Sequence, residues 1–120
     1  MTVRLVKQYH FEAAHQLSHL PAQHPCARLH GHSYQVELAL RGPVDPATGW
    51  LIDFGLVDQA WKPIADQLDH RFLNDLPGLE ISTCENLCRW IWQRLVHHLP
   101  HLVRVTVWET HDARCEYEGE

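Results

Sequence analysis

Two strands are predicted in the first third of the chain, because hydrophobic residues alternate there with polar ones. Between about residues 3 and 15 the alternation is imperfect and rests on Val3, Leu5, Tyr9 and Phe11. From Ser33 to Arg41 it is cleaner, with one apolar face formed by Tyr34, Val36, Leu38 and Leu40. His30 and His32 share the parity of that apolar face, and Gly42-Pro43 is expected to end the strand.

Two amphipathic helices are predicted in the middle of the chain. Asp53 can cap the first helix, whose apolar positions follow helical spacing from Leu56 to Leu68. Pro63 lies inside this pattern, so we expect it to kink or restart the helix. The segment Ser82-Thr-Cys-Glu85 has the form of a capping box, which predicts that a second helix begins there and runs to about His98.

The last twenty residues predict two further strands and complete the fold class. Residues 102–109 alternate, with Val103, Val105 and Val107 on one face and Glu109 next in that series, and a short strand follows at about 114–118. The order β-β-α-α-β-β predicts one α+β domain over residues 1–120, with a four-stranded antiparallel sheet and two helices on one face. Such a sheet has two open edges, so we expect a homo-oligomer.

Composition and charge exclude several functional classes. The 120 residues fit a single domain, and no apolar run approaches the roughly 18 residues of a membrane span. The first ten residues lack the apolar core of a signal peptide, so we expect a soluble, cytoplasmic protein whose four cysteines are reduced. Fifteen acidic residues against ten lysines and arginines give a net charge of −5, which argues against a nucleic-acid partner.

Histidine is the unusual component, with eleven residues in the chain. At this frequency about one His-x-His pair is expected by chance, so His30-Gly-His32 is not informative by spacing alone. On a strand, however, the two imidazoles point to the same side about 7 Å apart. His15, at the end of the first predicted strand, can complete a three-nitrogen zinc site with an open fourth position. Only that position favours His15 over His10, His19 or His24. The alternative to a zinc site is that these histidines alternate along the strand without any function.

Three other features are candidates for chemistry. Cys26, four residues before His30 and near Arg28, can act as a thiolate base or nucleophile, or can be a small hydrophobic residue in a loop. Asp69 can orient His70, although neighbouring side chains often diverge and a solvated helix end is the simpler interpretation. Glu109 continues an apolar face, where a carboxylate needs water or a ligand with N–H donors.

Taken together, these segments resemble the 6-pyruvoyl-tetrahydropterin synthase family over nearly the whole chain. The matching segments, in the family's order, are Phe11-Glu-Ala-Ala-His15, Cys26-Ala-Arg-Leu-His30-Gly-His32-Ser-Tyr34, Gly49-Trp-Leu-Ile-Asp53-Phe54, Leu68-Asp-His70-Arg-Phe-Leu-Asn-Asp75, Thr83-Cys-Glu-Asn86 and Val107-Trp-Glu-Thr110. Only three residues separate Cys26 from His30, which resembles the branch that forms carboxytetrahydropterin. The pyruvoyl-forming branch has a longer insertion at this point.

The resemblance implies a fold, an assembly and a reaction. The fold is the tunnelling fold, in which subunits join their sheets into a barrel, commonly as a hexamer. The reaction converts 7,8-dihydroneopterin triphosphate to 6-carboxy-5,6,7,8-tetrahydropterin, acetaldehyde and triphosphate, a step of queuosine and 7-deazaguanine biosynthesis. Two alternatives stay open: a 6-pyruvoyl-tetrahydropterin synthase, and a non-catalytic zinc-binding protein that uses the histidine cluster.

The resemblance also implies roles for individual residues. The zinc ligands are His15, His30 and His32. Cys26 is the catalytic base, Asp69 and His70 form a proton relay, and Glu109 anchors the pterin ring. Thr83 and Cys84 lie where the start of a helix meets the pterin, although Cys84 replaces a hydroxyl residue of the family. Gln16 stands where the family has a basic residue.

Overall fold

A five-stranded sheet carries two helices on one of its faces in a computed structural model that describes residues 1–120. In chain order the elements are β1 (Thr2–His15), β2 (His30–Pro43), α1 (Phe54–Leu68), β3 (Arg71–Phe72), α2 (Cys84–Leu95), β4 (Leu102–Thr110) and β5 (Ala113–Tyr117). Across the sheet the strand order is β3-β1-β2-β4-β5. The predicted α+β class is confirmed, and the six predicted elements occur in the predicted order, but a further strand, β3, lies between the two helices.

The fifth strand, β3, was not predicted. It pairs parallel to the end of β1, with Ala13 opposite Arg71 and Ala14 opposite Phe72, while the other three pairings are antiparallel. The prediction of a four-stranded, wholly antiparallel sheet was therefore wrong. A strand of two residues is too short for any alternation of hydrophobic and polar positions to reveal.

The end of β2 also differs from the prediction, because Gly42 and Pro43 belong to the strand. Pro43 is opposite Thr2 of β1, but β4 pairs with β2 only as far as Leu40. Beyond that point β2 is paired with another strand on one side only. A proline that lacks an N–H group is tolerated at such an edge position.

The apolar face of β4 is shifted at its first residues. Arg104 is opposite Ala39 and Leu102 is opposite Leu40, so Val103 is an extra, bulged residue. Leu102 therefore occupies the core position that the alternation assigned to Val103, whereas Val105 and Val107 are buried as predicted. Glu109 follows on the same face as these two valines.

The predicted helices are present with altered ends. Asp53 caps α1, as predicted, by accepting the Gly55 N–H at 2.9 Å. Pro63 does not divide α1, because Trp61 and Ile64 on either side of it are buried in the core and hold the helix in place. The cap of α2 is Thr83 rather than the first residue of the predicted capping box, and α2 ends at Leu95. Neither helix combines the length and apolar character that crossing a membrane requires.

The core lies between the helices and one face of the sheet and is centred on fully buried aliphatic residues, among them Leu38, Leu68, Ile91 and Val105. At the end of the sheet where β1 finishes and β2 begins, both strands extend past β4. There the pairing of β4 with β2 stops at Trp108 opposite Gln35, so the first residues of β2 are open on that side. The candidate site lies at this end of the sheet.

Candidate active site

Three imidazoles converge at the end of the β1–β2 pair. His15 is directly opposite His30, and His32 is opposite Ala13 two positions along the same ladder. The potential ligand atoms of the three side chains all lie within 4.8 Å of one another, with ring centroids 4.5–5.1 Å apart. This cluster, named here the histidine cluster, can hold a metal ion. His10 is exposed on the opposite face of β1, so His15 and not His10 completes the cluster.

Glycine between the two β2 histidines permits close packing of the strands. A Cβ atom at Gly31 would lie 3.2 Å from the carbonyl oxygen of Ala13 on β1. A side chain at this position would require the Ala13 carbonyl to shift by a few tenths of an ångström, between the two strands that carry the histidine cluster.

The hydrogen bonds of the rings suit metal ligation. Nδ1 of His15 lies 2.9 Å from the Ser82 carbonyl oxygen, and Nδ1 of His30 lies 2.7 Å from the Arg28 carbonyl oxygen. Because a carbonyl oxygen only accepts, each Nδ1 carries the proton and each Nε2 has a free lone pair. The Nε2 atoms of His15 and His32 are buried without any hydrogen-bond partner in the chain. Buried nitrogens left without a partner are satisfied by a bound cation, so the donor set fits a metal ion.

Burial determines the charge of this region. Loss of hydration lowers the pKa of His15 and of His32, and the neighbouring His30 lowers both further. Neutral imidazole is the form that binds a metal. Burial also raises the pKa of Glu109, whose Oε2 lies 3.9 Å from Nε2 of His32. That separation is too long for a hydrogen bond, and a neutral His32 does not form an ion pair.

Glu109 is the acidic group of the site. Its side chain is 29% exposed and accepts no hydrogen bond from the chain, so the carboxylate is free to accept one from a ligand. It borders a cavity of about 280 Å³ that also has Cys84 and Glu85 in its wall. On its other side a second cavity of about 480 Å³ extends along the open end of β2 past His32. The carboxylate thus connects the histidine cluster with the space in which a small molecule can lie.

The start of α2 forms part of the first cavity's wall. The Thr83 hydroxyl accepts the Asn86 N–H at 3.2 Å and thereby caps the helix. The Cys84 thiol donates to the Val107 carbonyl oxygen at 3.2 Å, and burial raises its pKa to about 12. Cys84 is therefore a neutral thiol in a fixed position, and it cannot replace a catalytic thiolate.

Cys26 occupies a single turn of 3₁₀ helix, Pro25–Ala27, in the loop between β1 and β2. Its carbonyl oxygen accepts the Leu17 N–H at 2.8 Å, and its own N–H donates to Nδ1 of His24 at 3.1 Å. The half-buried sulfur atom forms no hydrogen bond in the chain. Two hydrogen bonds therefore fix the backbone of Cys26, whereas its thiol is free to interact with a ligand.

Asp69 and His70 meet each other but not the histidine cluster. Oδ1 of Asp69 lies 3.0 Å from Nδ1 of His70 and accepts the Glu12 N–H at 3.0 Å. The His70 N–H donates to the Glu12 carbonyl oxygen at 2.6 Å, with a left-handed φ of 59° at His70. The Glu12 N–H, most strongly, and the His70 ring both favour the ionised Asp69 carboxylate and so lower its pKa. The pair lies on the side of β1 away from β2, and no hydrogen bond or ion pair connects it to Cys26 or the cluster.

Three residues of the site were missed by the sequence patterns. Ser82 looked like a helix cap but contacts His15. The Asn74 side chain bonds both the N–H and the carbonyl oxygen of Gln16, and so holds the residue after His15. The parity of Tyr34 predicts only a core residue, but its ring lies 5.3 Å from that of His32 and its buried hydroxyl has no partner. The sequence feature that could have identified Tyr34 as a site residue is a hydroxyl group on the core face of the strand, next to the two histidines.

Comparisons with known proteins identify the family. A family model described as 6-pyruvoyl tetrahydropterin synthase matches residues 4–120. The chain belongs to this family. In overall structure it is similar to 6-pyruvoyl tetrahydropterin synthase of Caenorhabditis elegans, with a TM-score of 0.91 and 27% identity over 100% of this chain and 97% of that one. The fold is thus the α+β tunnelling fold of the family.

Two similar proteins are named as different enzymes. A 6-carboxy-5,6,7,8-tetrahydropterin synthase of Synechocystis sp. is 35% identical over 94% of this chain and 91% of its own length. A 6-pyruvoyl tetrahydrobiopterin synthase of Homo sapiens is 37% identical, but over only 76% of this chain and 67% of its own length. Family membership therefore leaves a choice between at least two reactions.

Proposed function

We propose that the chain is a zinc-dependent 6-carboxy-5,6,7,8-tetrahydropterin synthase. It converts 7,8-dihydroneopterin triphosphate and one water to 6-carboxytetrahydropterin, acetaldehyde and triphosphate, within queuosine and 7-deazaguanine biosynthesis. The observation that carries the proposal is the free, half-buried carboxylate of Glu109, 3.9 Å from His32 in a cluster that can hold a metal ion. An acceptor for pterin N–H groups and a metal site side by side suit this substrate.

His15, His30 and His32 are the proposed zinc ligands. Three nitrogen ligands and an open position are the arrangement of catalytic zinc sites. A zinc ion held by these three imidazoles would supply a Lewis acid for the hydroxyl groups of the substrate side chain and would lower their pKa. Glu109 accepts two N–H groups from the pterin, a bidentate bond strengthened by the charge of the carboxylate. Cys84 lies in the wall of the cavity beside Glu109. Together with Thr83, the residue before it, Cys84 orients the ring.

Cys26, Asp69 and His70 are the proposed proton-transfer groups. The Cys26 thiolate removes a proton from a side-chain carbon of the substrate. His70, held by Asp69 at 3.0 Å, accepts and returns protons as the double bonds shift and triphosphate leaves. Addition of water and cleavage of the carbon–carbon bond then leave the carboxylate on the pterin and release a two-carbon aldehyde.

The assembly proposed is a hexamer of single-domain chains in which each relay serves the neighbouring active site. The reason is the position of His70, whose side chain is 78% exposed and makes no contact with the histidine cluster of its own chain. Large apolar side chains, among them Trp50, Phe54 and Leu56, are also exposed and are suited to subunit contacts.

A mixing experiment tests whether the active site is shared. Cys26→Ala and His70→Ala chains, each inactive alone, are dissociated together and allowed to reassemble. If the two residues of one site come from different subunits, about a quarter of the sites in a random mixture are intact and activity returns in that proportion. Mixed assemblies that contain both chains yet stay inactive would show that each subunit supplies its own relay.

Product analysis tests the function itself. The zinc-loaded protein is incubated with 7,8-dihydroneopterin triphosphate, and the products are identified by mass spectrometry together with an assay for acetaldehyde. Equal amounts of 6-carboxytetrahydropterin, acetaldehyde and triphosphate are expected. The human relative, at 37% identity, favours 6-pyruvoyltetrahydropterin as the second candidate product, formed without acetaldehyde. Zinc binding with no turnover would instead support the non-catalytic alternative.

A further inference from the structure

Ser82 contacts one ring of the histidine cluster through two of its oxygen atoms. Its carbonyl oxygen lies 2.9 Å and its hydroxyl oxygen 3.1 Å from Nδ1 of His15. Both residues are buried, with Ser82 fully inaccessible and His15 1% exposed. The two residues are 67 positions apart in the chain, so tertiary folding alone creates the contact.

We infer that Ser82 is a positioning residue for the metal centre, which selects the tautomer of His15 and holds its ring in the ligating orientation. The inference rests on the metal site of the proposed function and extends it to a residue outside the ligand set. The carbonyl oxygen can only accept, so Nδ1 must donate and Nε2 must direct its lone pair into the cluster. The hydroxyl provides a second acceptor beside it and restricts rotation of the ring.

The other two histidines are held differently. Nδ1 of His30 donates to the Arg28 carbonyl oxygen, only two residues away along the chain, where Arg28 is exposed and His30 is half-buried. His32 has no comparable hydrogen bond, and its Nε2 is unpartnered. Of the three rings, only His15 is fixed by a buried contact from a distant part of the fold.

The contact also joins the metal centre to the start of α2. Thr83, the next residue, caps this helix, and Cys84 follows in the wall of the cavity beside Glu109. The segment 82–84 therefore contacts the proposed metal ligand His15 through Ser82 and borders the substrate cavity through Cys84. Displacement of Ser82 is expected to move both.

A Ser82→Ala substitution tests the inference, with Ser33→Ala as the matched control. Ser33 is next to His32, but its hydroxyl donates to Glu12 and contacts no ring of the cluster. Outer-shell partners of metal ligands typically contribute about 10–100-fold to affinity. Because the Ser82 carbonyl remains in the variant, the zinc dissociation constant is expected to rise by about tenfold, at the lower end of that range. Ser33→Ala and the conservative Ser82→Thr are expected to bind zinc like the unsubstituted protein.

Zinc affinity is measured by chelator competition, without substrate, at a temperature at which every apo variant is folded. A Ser82 that only packed the helix start would change the unfolding temperature but not this constant, and an unchanged constant in Ser82→Ala overturns the inference. Nitrogen-15 NMR of the unsubstituted protein is a second test that needs no variant. A proton on Nδ1 of His15 is expected, and one on Nε2 overturns the inference. Neither measurement depends on the product, so failure here is separable from failure of the proposed reaction.

Discussion

Replacing Cys26 by alanine is expected to lower kcat by about 10²–10⁴-fold, the contribution typical of a positioned general base, while zinc content stays at one ion per chain. The sulfur atom forms no hydrogen bond, and the bonds that hold the loop come from the backbone of Cys26, which alanine retains. Turnover of 7,8-dihydroneopterin triphosphate and bound zinc are measured on the same samples.

Two controls separate a lost base from a damaged fold. The unfolding temperature of Cys26→Ala is expected to stay close to that of the unsubstituted protein, since the half-buried sulfur forms no hydrogen bond in the chain. Cys26→Ser retains the size of the side chain but not the ready ionisation of a thiol, and is expected to be almost as inactive. An alanine variant that turns over substrate at the original rate would refute the assignment of Cys26 as the base.

Replacing His15 by alanine is expected to abolish stoichiometric zinc binding and, with it, turnover. Loss of one of three ligands should weaken binding by more than the roughly 10–100-fold that removal of an outer-shell partner costs. The site would retain two imidazoles, and the buried Ser82 oxygens would lose the ring they face. Zinc per chain is measured after dialysis against a weak chelator, with turnover on the same samples.

His10→Ala is the matched control for this prediction. His10 lies on the same strand, β1, but it is exposed on the face of the sheet away from the cluster. Zinc content should therefore be unchanged by its removal. Equal zinc binding by His15→Ala and the unsubstituted protein would contradict the metal site and every zinc-based proposal made for it.

Features of the chain that depend on neighbouring residues were predictable from the sequence. Period-two alternation puts His30 and His32 on one face of β2, because side chains of a strand alternate whatever the strand pairs with. Asp53 caps α1 through a bond to an N–H group two residues away. Where a local rule failed, as at Pro63 and Val103, burial or a bulge in the strand pairing had overridden it.

The sequence by itself determined the α+β class, the order of the main elements, the face on which the β2 histidines lie and, through its motifs, the resemblance to a family. Only the tertiary structure decided that His15 rather than His10 joins those histidines, that Ser82 holds its ring, and that Asp69 and His70 lie apart from it. Each of these facts depends on strand register or on the approach of residues far apart in the chain. Packing of the whole molecule sets such distances, and no short stretch of residues encodes them.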